Sequence, residues 1–511
     1  MGNEELTFEA SFQVRLRIMI QIPQIAGIEI DPGDWANTPA SIQTLVLYLL
    51  AENQELKDRL SRIEEQLRQN SQNSSKPPSQ DGFQKKDFTV QEKSTKKRGG
   101  QPGHGGHAIK FYDLSAEDVS VDHRPTICLN CGEALAGNDG EPFRHQILEL
   151  PQLRPLITEH RLHRLDCEHC GTSTRAKLPE TVGASQYGER LTAAVAILSS
   201  ENYQSHSKVK TLLHRLFGID ISIASVNRLR NEMSNAIKLP VQDAHHYVKG
   251  VPVVHSDETS FNQGNADGKN PGRTKGWLWT VVSAGVVIFE VALSRAKTVA
   301  QGLISPEFSG IVVSDRYRGY EWLDASQRQL CWAHIKRDLT AMTERSGVSQ
   351  EIGTALLNIQ KTLFEDWYQV RGGTLSREDF QARVGTLQAL FKRELTEAVT
   401  LLSSPKEKSP LAKTLGTCKE LLKWESSLWT FAHHPGVEPT NNAAEQALRP
   451  AVIWRRLSFG SQSEAGSQFV ARILTVMATL NVQKRDVLEF LTLACRASRF
   501  GTTVPSLLPQ G

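Results

Sequence analysis

Between residues 42 and 67 apolar side chains return every three or four positions. Ile42, Leu49, Leu56 and Ile63 share one heptad position, and Val46, Asn53, Leu60 and Leu67 share the other. Asn53 is the single polar member, a device that fixes register when helices pair. The pattern predicts a coiled coil over 41–70, with an amphipathic helix packed on its own domain as the alternative. Before it, residues 1–40 keep no sustained period and stay unassigned. After it, the apolar pattern stops. Residues 71–122 are dominated by Ser, Asn, Gln, Pro, Gly and Lys. Such a segment buries too little surface to offset its ordering entropy and reads as a basic flexible linker. Strand-like runs at 146–150 and 156–165 lie in a small module at 123–178. Residues 179–245 return to a helical period. One helix, 209–217, ends at Gly218, and a second, capped by Ser222 or Ser225, runs through Val226, Leu229 and Met233. Helix, glycine turn, helix is the helix-turn-helix pattern, with Arg228 and Arg230 on the second helix. A plain helical hairpin is the commoner structure with this spacing.

From Val251 the period changes to that of strands. Residues 252–255 are apolar and lead into Ser256-Asp257; 277–282 and 286–293 form a hairpin about Ser283-Ala284-Gly285. A short helix at 296–303 follows, then a buried strand at 310–313 that leads into Ser314-Asp315. A crossover helix allows the first and last of these strands to lie side by side in parallel. Helical pattern then fills about 341–432, and residues 461–511 read as a C-terminal helical region. The fold class is a multidomain α/β chain: a mixed-sheet core at 250–460 that carries an all-α insertion, preceded by coiled coil, zinc-ribbon-like module and helix-turn-helix.

Charge changes this picture in one place. The whole chain of 511 residues is only +3, which argues weakly for a polyanion partner. From Lys76 to Lys110, however, eight Lys or Arg face three acids. The positive charge is concentrated in the linker, and Lys96-Lys97-Arg98 suits contacts to phosphates. A solvated linker is the bland reading of the same run. No stretch of about 18 uncharged apolar residues predicts a membrane span, and the acidic start MGNEELTFEA lacks the layout of a secretory signal. Seven cysteines, four of them in two Cys-x-x-Cys pairs, favour metal binding in a reducing compartment, so a cytoplasmic location is expected.

Those pairs are Cys128, Cys131 and Cys167, Cys170, each followed by glycine. Two residues between thiolates let both sulfurs reach one ion from a tight turn, and four sulfurs close a tetrahedral site of structural Zn²⁺. The 35 residues between the pairs exceed the common spacing. His163 and His169 nearby read as bystanders.

The two Ser-Asp strand endings bring a second chemistry. Adjacent carboxylates at Asp257 and Asp315 repel unless a cation lies between them. Hard oxygen donors select Mg²⁺ or Mn²⁺, and such pairs hold the two ions that stabilise attacking and leaving oxygens in phosphoryl transfer. Either Asp could instead cap a turn. A third ligand is expected at Glu445, at the start of a predicted helix. The bland alternative there is a capping box between Asn442 and Glu445. His334, after the apolar run 330–333, could approach the metals or be structural.

Together these residues make the chain resemble transposases of the insertion sequence 66 family. In order, the matching elements are the leucine-rich coiled coil; Asn73-Ser74-Ser75-Lys76-Pro77-Pro78-Ser79; Arg98-Gly99-Gly100-Gln101-Pro102-Gly103-His104; the paired knuckles; Asp257-Glu258-Thr259; Ser314-Asp315-x-Tyr317-x-Gly319-Tyr320; Cys331-Trp332-Ala333-His334; and Asn441-Asn442-x-Ala444-Glu445-x-x-Leu448-Arg449-Pro450. Residues 1–40 do not match, and Trp454-Arg455-Arg456-Leu457-Ser458-Phe459-Gly460 follows the family's basic segment only loosely. The resemblance implies an RNase H-like core with the triad Asp257, Asp315 and Glu445 and a helical insertion before the Glu. It implies metal-dependent cleavage and strand transfer of double-stranded DNA at transposon ends and target, in a nucleoid-associated bacterial enzyme. Arg455, Arg456 and the basic arm would hold phosphates, and the coiled coil would pair protomers, most simply as a dimer. Accessory proteins of the same element could take part. The competing readings are a catalytically silent DNA-binding regulator and a different metal-dependent nuclease, such as a junction resolvase.

Overall fold

The structure, a computed structural model, describes residues 31–69, 73, 111–116, 118–401 and 409–509. Lys96, Lys97 and Arg98 and most of the expected linker lie outside the described residues. The chain divides into two compact units. The larger comprises Met1–Gly82, Gly183–Tyr203 and Leu229–Gly511; the smaller comprises Phe83–Val182 and Gln204–Arg228.

In the larger unit a short helix, α1 (Pro32–Asn37), starts with proline in its first turn, where the missing N–H costs nothing, and Asp31 accepts from the amides of Gly33 and Asp34. Next comes α2 (Ala40–Arg68), one unbroken 29-residue helix, about 44 Å long. Its seam residues Ile42, Leu49, Leu56, Leu60, Ile63 and Leu67 are all exposed.

The smaller unit holds a two-stranded antiparallel sheet, β1 (Arg164–Asp166) with β2 (Ser173–Arg175). The expected strands over 146–150 and 156–163 do not form: their apolar side chains (Ile147, Leu148, Leu150, Leu156 and Ile157) are exposed, with no second backbone edge paired to them. An apolar run becomes a strand only when something pairs it. In chain order α3 (Glu189–Ser200) belongs to the larger unit. Then α4 (His206–Phe217) is capped by Ser205 and closed by Gly218 at φ +65°, a left-handed conformation that favours glycine. After the turn, α5 (Ile223–Ala236) begins with Ser222 Oγ accepting from Ser225 N at 3.0 Å, so Ser222 caps it. Val209, Leu213 and Val226 are buried.

The rest of the larger unit is built on a five-stranded sheet. After α6 (Lys238–Tyr247) come β3 (Val253–Ser260), β4 (Trp277–Val282), β5 (Val287–Ala292), α7 (Lys297–Ile304), β6 (Ile311–Ser314) and β7 (Arg328–Leu330). Their spatial order is β5-β4-β3-β6-β7. The three on the β5 side are antiparallel, and β3, β6 and β7 run parallel. The hairpin, the crossover helix and the parallel β3–β6 pair are as expected. Two features differ. β3 continues through Ser260, because β4 pairs it that far. The three-residue β7 was hidden by its polar residues, yet Arg328 and Gln329 are fully buried.

Helices α8 (Trp332–Thr343), α9 (Val348–Arg371), α10 (Arg377–Thr400), α11 (Pro410–Lys423) and α12 (Thr430–His433) form the insertion, with its own aromatic core of Trp332, Trp367, Phe380, Phe391, Trp429 and Phe431. Chain order then returns to the sheet with α13 (Asn442–Ser458), α14 (Glu464–Val482) and α15 (Val487–Phe500). The segment 461–511 packs in the same core as the sheet instead of following it as a separate region. The β5 edge shows why. Val287 N donates to Thr479 Oγ1 at 3.1 Å and Phe289 N to Thr475 Oγ1 at 2.9 Å, while Thr479 Oγ1 donates to Val287 O at 2.9 Å. Two threonines of α14 thus take the place of a sixth strand.

Candidate active site

The β3–β6 register pairs Val253 with Ile311, Val254 with Val312 and His255 with Val313. Two residues further on, the same offset sets Asp257 level with Asp315. Asp257 Oδ1 accepts from Glu258 N, and Asp315 Oδ1 from Tyr317 N, both at 2.9 Å. Buried Arg328 donates to Asp315 O at 3.0 Å and steadies the end of β6. Burial pushes the Asp257 carboxyl well above the usual range, and the charges of Glu258, Asp315 and Glu445 push the same way.

Glu445 sits in the first turn of α13. The alternative reading, a capping box, does not form: the cap residue is Asn441, one position earlier, and no side chain caps the helix. Asn441 instead donates Nδ2 to Ser256 O at 2.8 Å, tying the start of α13 to β3 beside Asp257. Glu445 Oε1 is buried and without a hydrogen-bond partner. Its carboxylate is therefore not spent on the helix end. Asp257, Asp315 and Glu445 do not close to within 4.8 Å as a set. Among the described residues, the single group of three or more His, Cys, Asp or Glu whose ligand atoms do close to that distance is Cys331, His334 and Glu445.

Sequence reasoning missed the residues behind Asp257. Glu258, with its side chain 1% exposed, meets Arg295 at 2.6 Å and accepts from Tyr320 Oη at 2.9 Å. Arg295 lies over the ring of Tyr317 at 3.8 Å, and Tyr317 donates to the Arg295 carbonyl. Burial and the nearby Asp315 still raise Glu258 against the pull of Arg295. Glu258 and Tyr320 stand inside the quoted motifs, but Arg295 is 37 residues away from its partner. Arg316, next to Asp315, is engaged by Asp338 on α8.

Both knuckles in the smaller unit have the turn their spacing requires. Cys128 N donates to Glu133 O at 2.8 Å and Gly132 N to Cys128 O at 2.9 Å; Cys167 N donates to Thr172 O at 2.9 Å and Gly171 N to Cys167 O at 2.8 Å. Gly132 and Gly171 lie at φ +78° and +67°. Hydrogen bonds from the backbone of Cys131 and Asn130 lower the Cys128 thiol, and the Thr172 hydroxyl lowers Cys170. Among the described residues, the sulfurs of Cys128, Cys131, Cys167 and Cys170 do not gather into one cluster.

The basic candidates separate by exposure. Arg228 on α5 is exposed. Arg230 is partly buried, lies over the Phe469 ring at 4.2 Å, and is lowered by burial to about 10. Arg455 donates to Thr259 Oγ1 at 2.8 Å, to Ser260 Oγ at 2.7 Å and to Ser260 O, holding the far end of β3. Arg456 is exposed and, with Ser260, Asn262, Arg455 and Phe459, lines a cleft of about 300 Å³. Behind that cleft Gly460 lies at φ +103°, where a Cβ would come 2.1 Å from Asn262 O. No helix among the described residues is long and apolar enough to cross a membrane.

Comparison with known proteins places these residues in company. Residues 184–469 match the model of the transposase IS66 family, and residues 29–110 match a family of unknown function, DUF6444. An uncharacterized protein, y4qI, of Sinorhizobium fredii is 25% identical over 406 residues, 74% of this chain and 71% of its own length. A second from the same organism, y4hP, is 24% identical over 433 residues, 78% of this chain and 75% of its own.

Proposed function

The chain belongs to the IS66 transposase family, and from that premise we propose that it cleaves and transfers DNA strands at the ends of a bacterial insertion sequence. The observation that carries this reading is the level placement of Asp257 and Asp315 on parallel strands, with Glu445 on a helix start tied to β3. The strand order, three antiparallel and two more in parallel, fits an RNase H-like core.

The residues fit divalent cations. Asp257 and Asp315 stand level on neighbouring strands, Glu445 starts a helix tied to β3, and Asp257 resists ionisation without a counter-charge. All-oxygen donors suit Mg²⁺ or Mn²⁺, which would lower the pKa of an attacking water and neutralise charge on the phosphate. Asp257, Asp315 and Glu445 would hold the ions. Arg455 and Asn441 fix the two ends of α13 against β3 and so set where Glu445 stands. Exposed Arg456 would take a backbone phosphate in the adjoining cleft.

The remaining parts are assigned roles in binding. The helix pair α4–α5, with exposed Arg228, would contact terminal-repeat DNA; Cys128, Cys131, Cys167 and Cys170 would hold structural Zn²⁺; Lys96, Lys97 and Arg98 would add phosphate contacts. The apolar seam of α2 would pair two protomers, so that two ends are handled together. An assay with divalent metal and the element's own terminal DNA tests the reading. Strand transfer supports it. Binding without cleavage indicates a silent regulator, and cleavage without transfer indicates another nuclease.

A further inference from the structure

Three side chains brought together by two helix starts form a second site next to the carboxylates. Cys331 precedes α8, and His334 lies in its first turn. Asn441 N donates to Cys331 Sγ at 3.1 Å, and Trp332 N donates to Pro439 O at 2.9 Å, so the starts of α8 and α13 are laced to each other. In consequence Cys331 Sγ, a ring nitrogen of His334 and a carboxylate oxygen of Glu445 all lie within 4.8 Å of one another.

Within the group, His334 Nδ1 and Glu445 Oε1 are 3.8 Å apart. Both atoms are shielded from solvent and neither has a hydrogen-bond partner. The gap is too long for a hydrogen bond. It is close to the edge of a tetrahedral metal site, about 3.3 Å for ligands at the usual zinc–nitrogen and zinc–oxygen distances. Two buried, unbonded polar atoms facing across such a gap are costly unless positive charge joins them, either a proton on His334 that makes an ion pair with Glu445 or a metal ion between the two.

We propose that Cys331, His334 and Glu445 form a site for one divalent ion of borderline softness, Zn²⁺ first among them. Thiolate, imidazole and carboxylate donors suit zinc and disfavour Mg²⁺. Binding exchanges the Cys331 S–H bond for a sulfur–metal bond and releases one proton to solvent. Three ligands from the chain leave the fourth position open. The ion would anchor Glu445 on the insertion side, making Cys331 and His334 positioning residues for a carboxylate that the functional reading above also uses.

The test is zinc stoichiometry of the full-length protein after equilibration with Zn²⁺ and removal of free metal, read by elemental analysis. His334→Ala and Cys331→Ser are each expected to hold one equivalent less than wild type. Titration of the chelator-stripped protein with Zn²⁺ should show the affinity of that equivalent falling at least about 100-fold, since even outer-shell changes cost 10- to 100-fold. Asp257→Asn should keep it. His334, which makes no side-chain hydrogen bond, guards against a folding defect in Cys331→Ser, and circular dichroism checks both. Wild-type zinc content and affinity in a folded His334→Ala overturn the proposal and leave the Asp-Asp-Glu reading intact. Normal cleavage by Asp257→Asn would sink that reading and leave this site standing.

Discussion

Glu258 places a carboxylate where almost no water reaches, one residue from Asp257, and Arg295 carries the counter-charge. Removing one member of such a pair leaves an uncompensated buried charge, at a cost of about 3 kcal/mol. Arg295→Ala should therefore lower the unfolding free energy by that amount, seen as a lower denaturant midpoint, and Arg295→Lys by less. A midpoint unchanged in Arg295→Ala would show that Glu258 is neutral and needs no partner. His245 offers a pH test away from the carboxylates, in a cavity of about 470 Å³ bordered by Lys238, Glu290 and Arg472. Burial, with help from Lys249, lowers it from 6.5 to about 4. The folded state resists protonation while the unfolded chain accepts it. Its contribution, at most about 3 kcal/mol, is thus present above pH 6.5 and lost as pH falls toward about 4. Stability measured across that window should fall less steeply in His245→Gln than in wild type; equal slopes would contradict the burial argument. Asp257 and Asp315 were readable because each follows an apolar strand and a serine. Glu445 was not separable from a helix cap by spacing alone; only the orphaned Oε1 and the cap at Asn441 distinguish them. Arg295 could not be read at all, since nothing local marks a side chain for a partner 37 residues distant.

At the scale of elements, β5 is an edge strand whose exposed amides are taken up by α14. Thr479→Val keeps the shape but deprives Val287 N of its acceptor, a loss of about 1–3 kcal/mol. Thermal unfolding should register it, and a transition at the wild-type temperature would mean that the edge is satisfied in another way. The helix α2 carries the opposite case, a seam with no partner among the described residues: Leu56 and Leu60 are 57% and 59% exposed. The double variant Leu56→Lys and Leu60→Lys should convert a dimer to a monomer in sedimentation, with the far-ultraviolet spectrum of the remaining helices kept. Wild-type protein that already sediments as a monomer contradicts the pairing role. Period-based reading worked for α2, for the β4–β5 hairpin and for the α4–α5 turn, because each is local. It failed for 146–163, where apolar alternation is present but no edge is paired, and for β7, whose buried arginine and glutamine look like a loop. The C-terminal helices were seen as helices, but their place in the sheet's own core depends on long-range hydrogen bonds from Thr475 and Thr479.

Across the whole molecule, the proposed function would have a chain near neutrality divide its charge between parts that hold DNA and parts that hold cations. Asp257 at the β3–β6 end resists ionisation, and Arg228 on α5 and Arg456 near the end of α13 are exposed. The account joins these through one claim, that the carboxylates of Asp257, Asp315 and Glu445 carry strand cleavage while other surfaces carry binding. Asp257→Asn isolates it, because amide replaces carboxylate with little change of shape. The direct measurement is cleavage of terminal-repeat DNA in Mg²⁺ or Mn²⁺ beside binding of the same DNA by full-length wild type and variant. Cleavage should fall by at least about 1,000-fold, the loss of several kcal/mol of charge stabilisation, with the dissociation constant for DNA unchanged. Cleavage by Asp257→Asn within a few-fold of wild type would contradict the account.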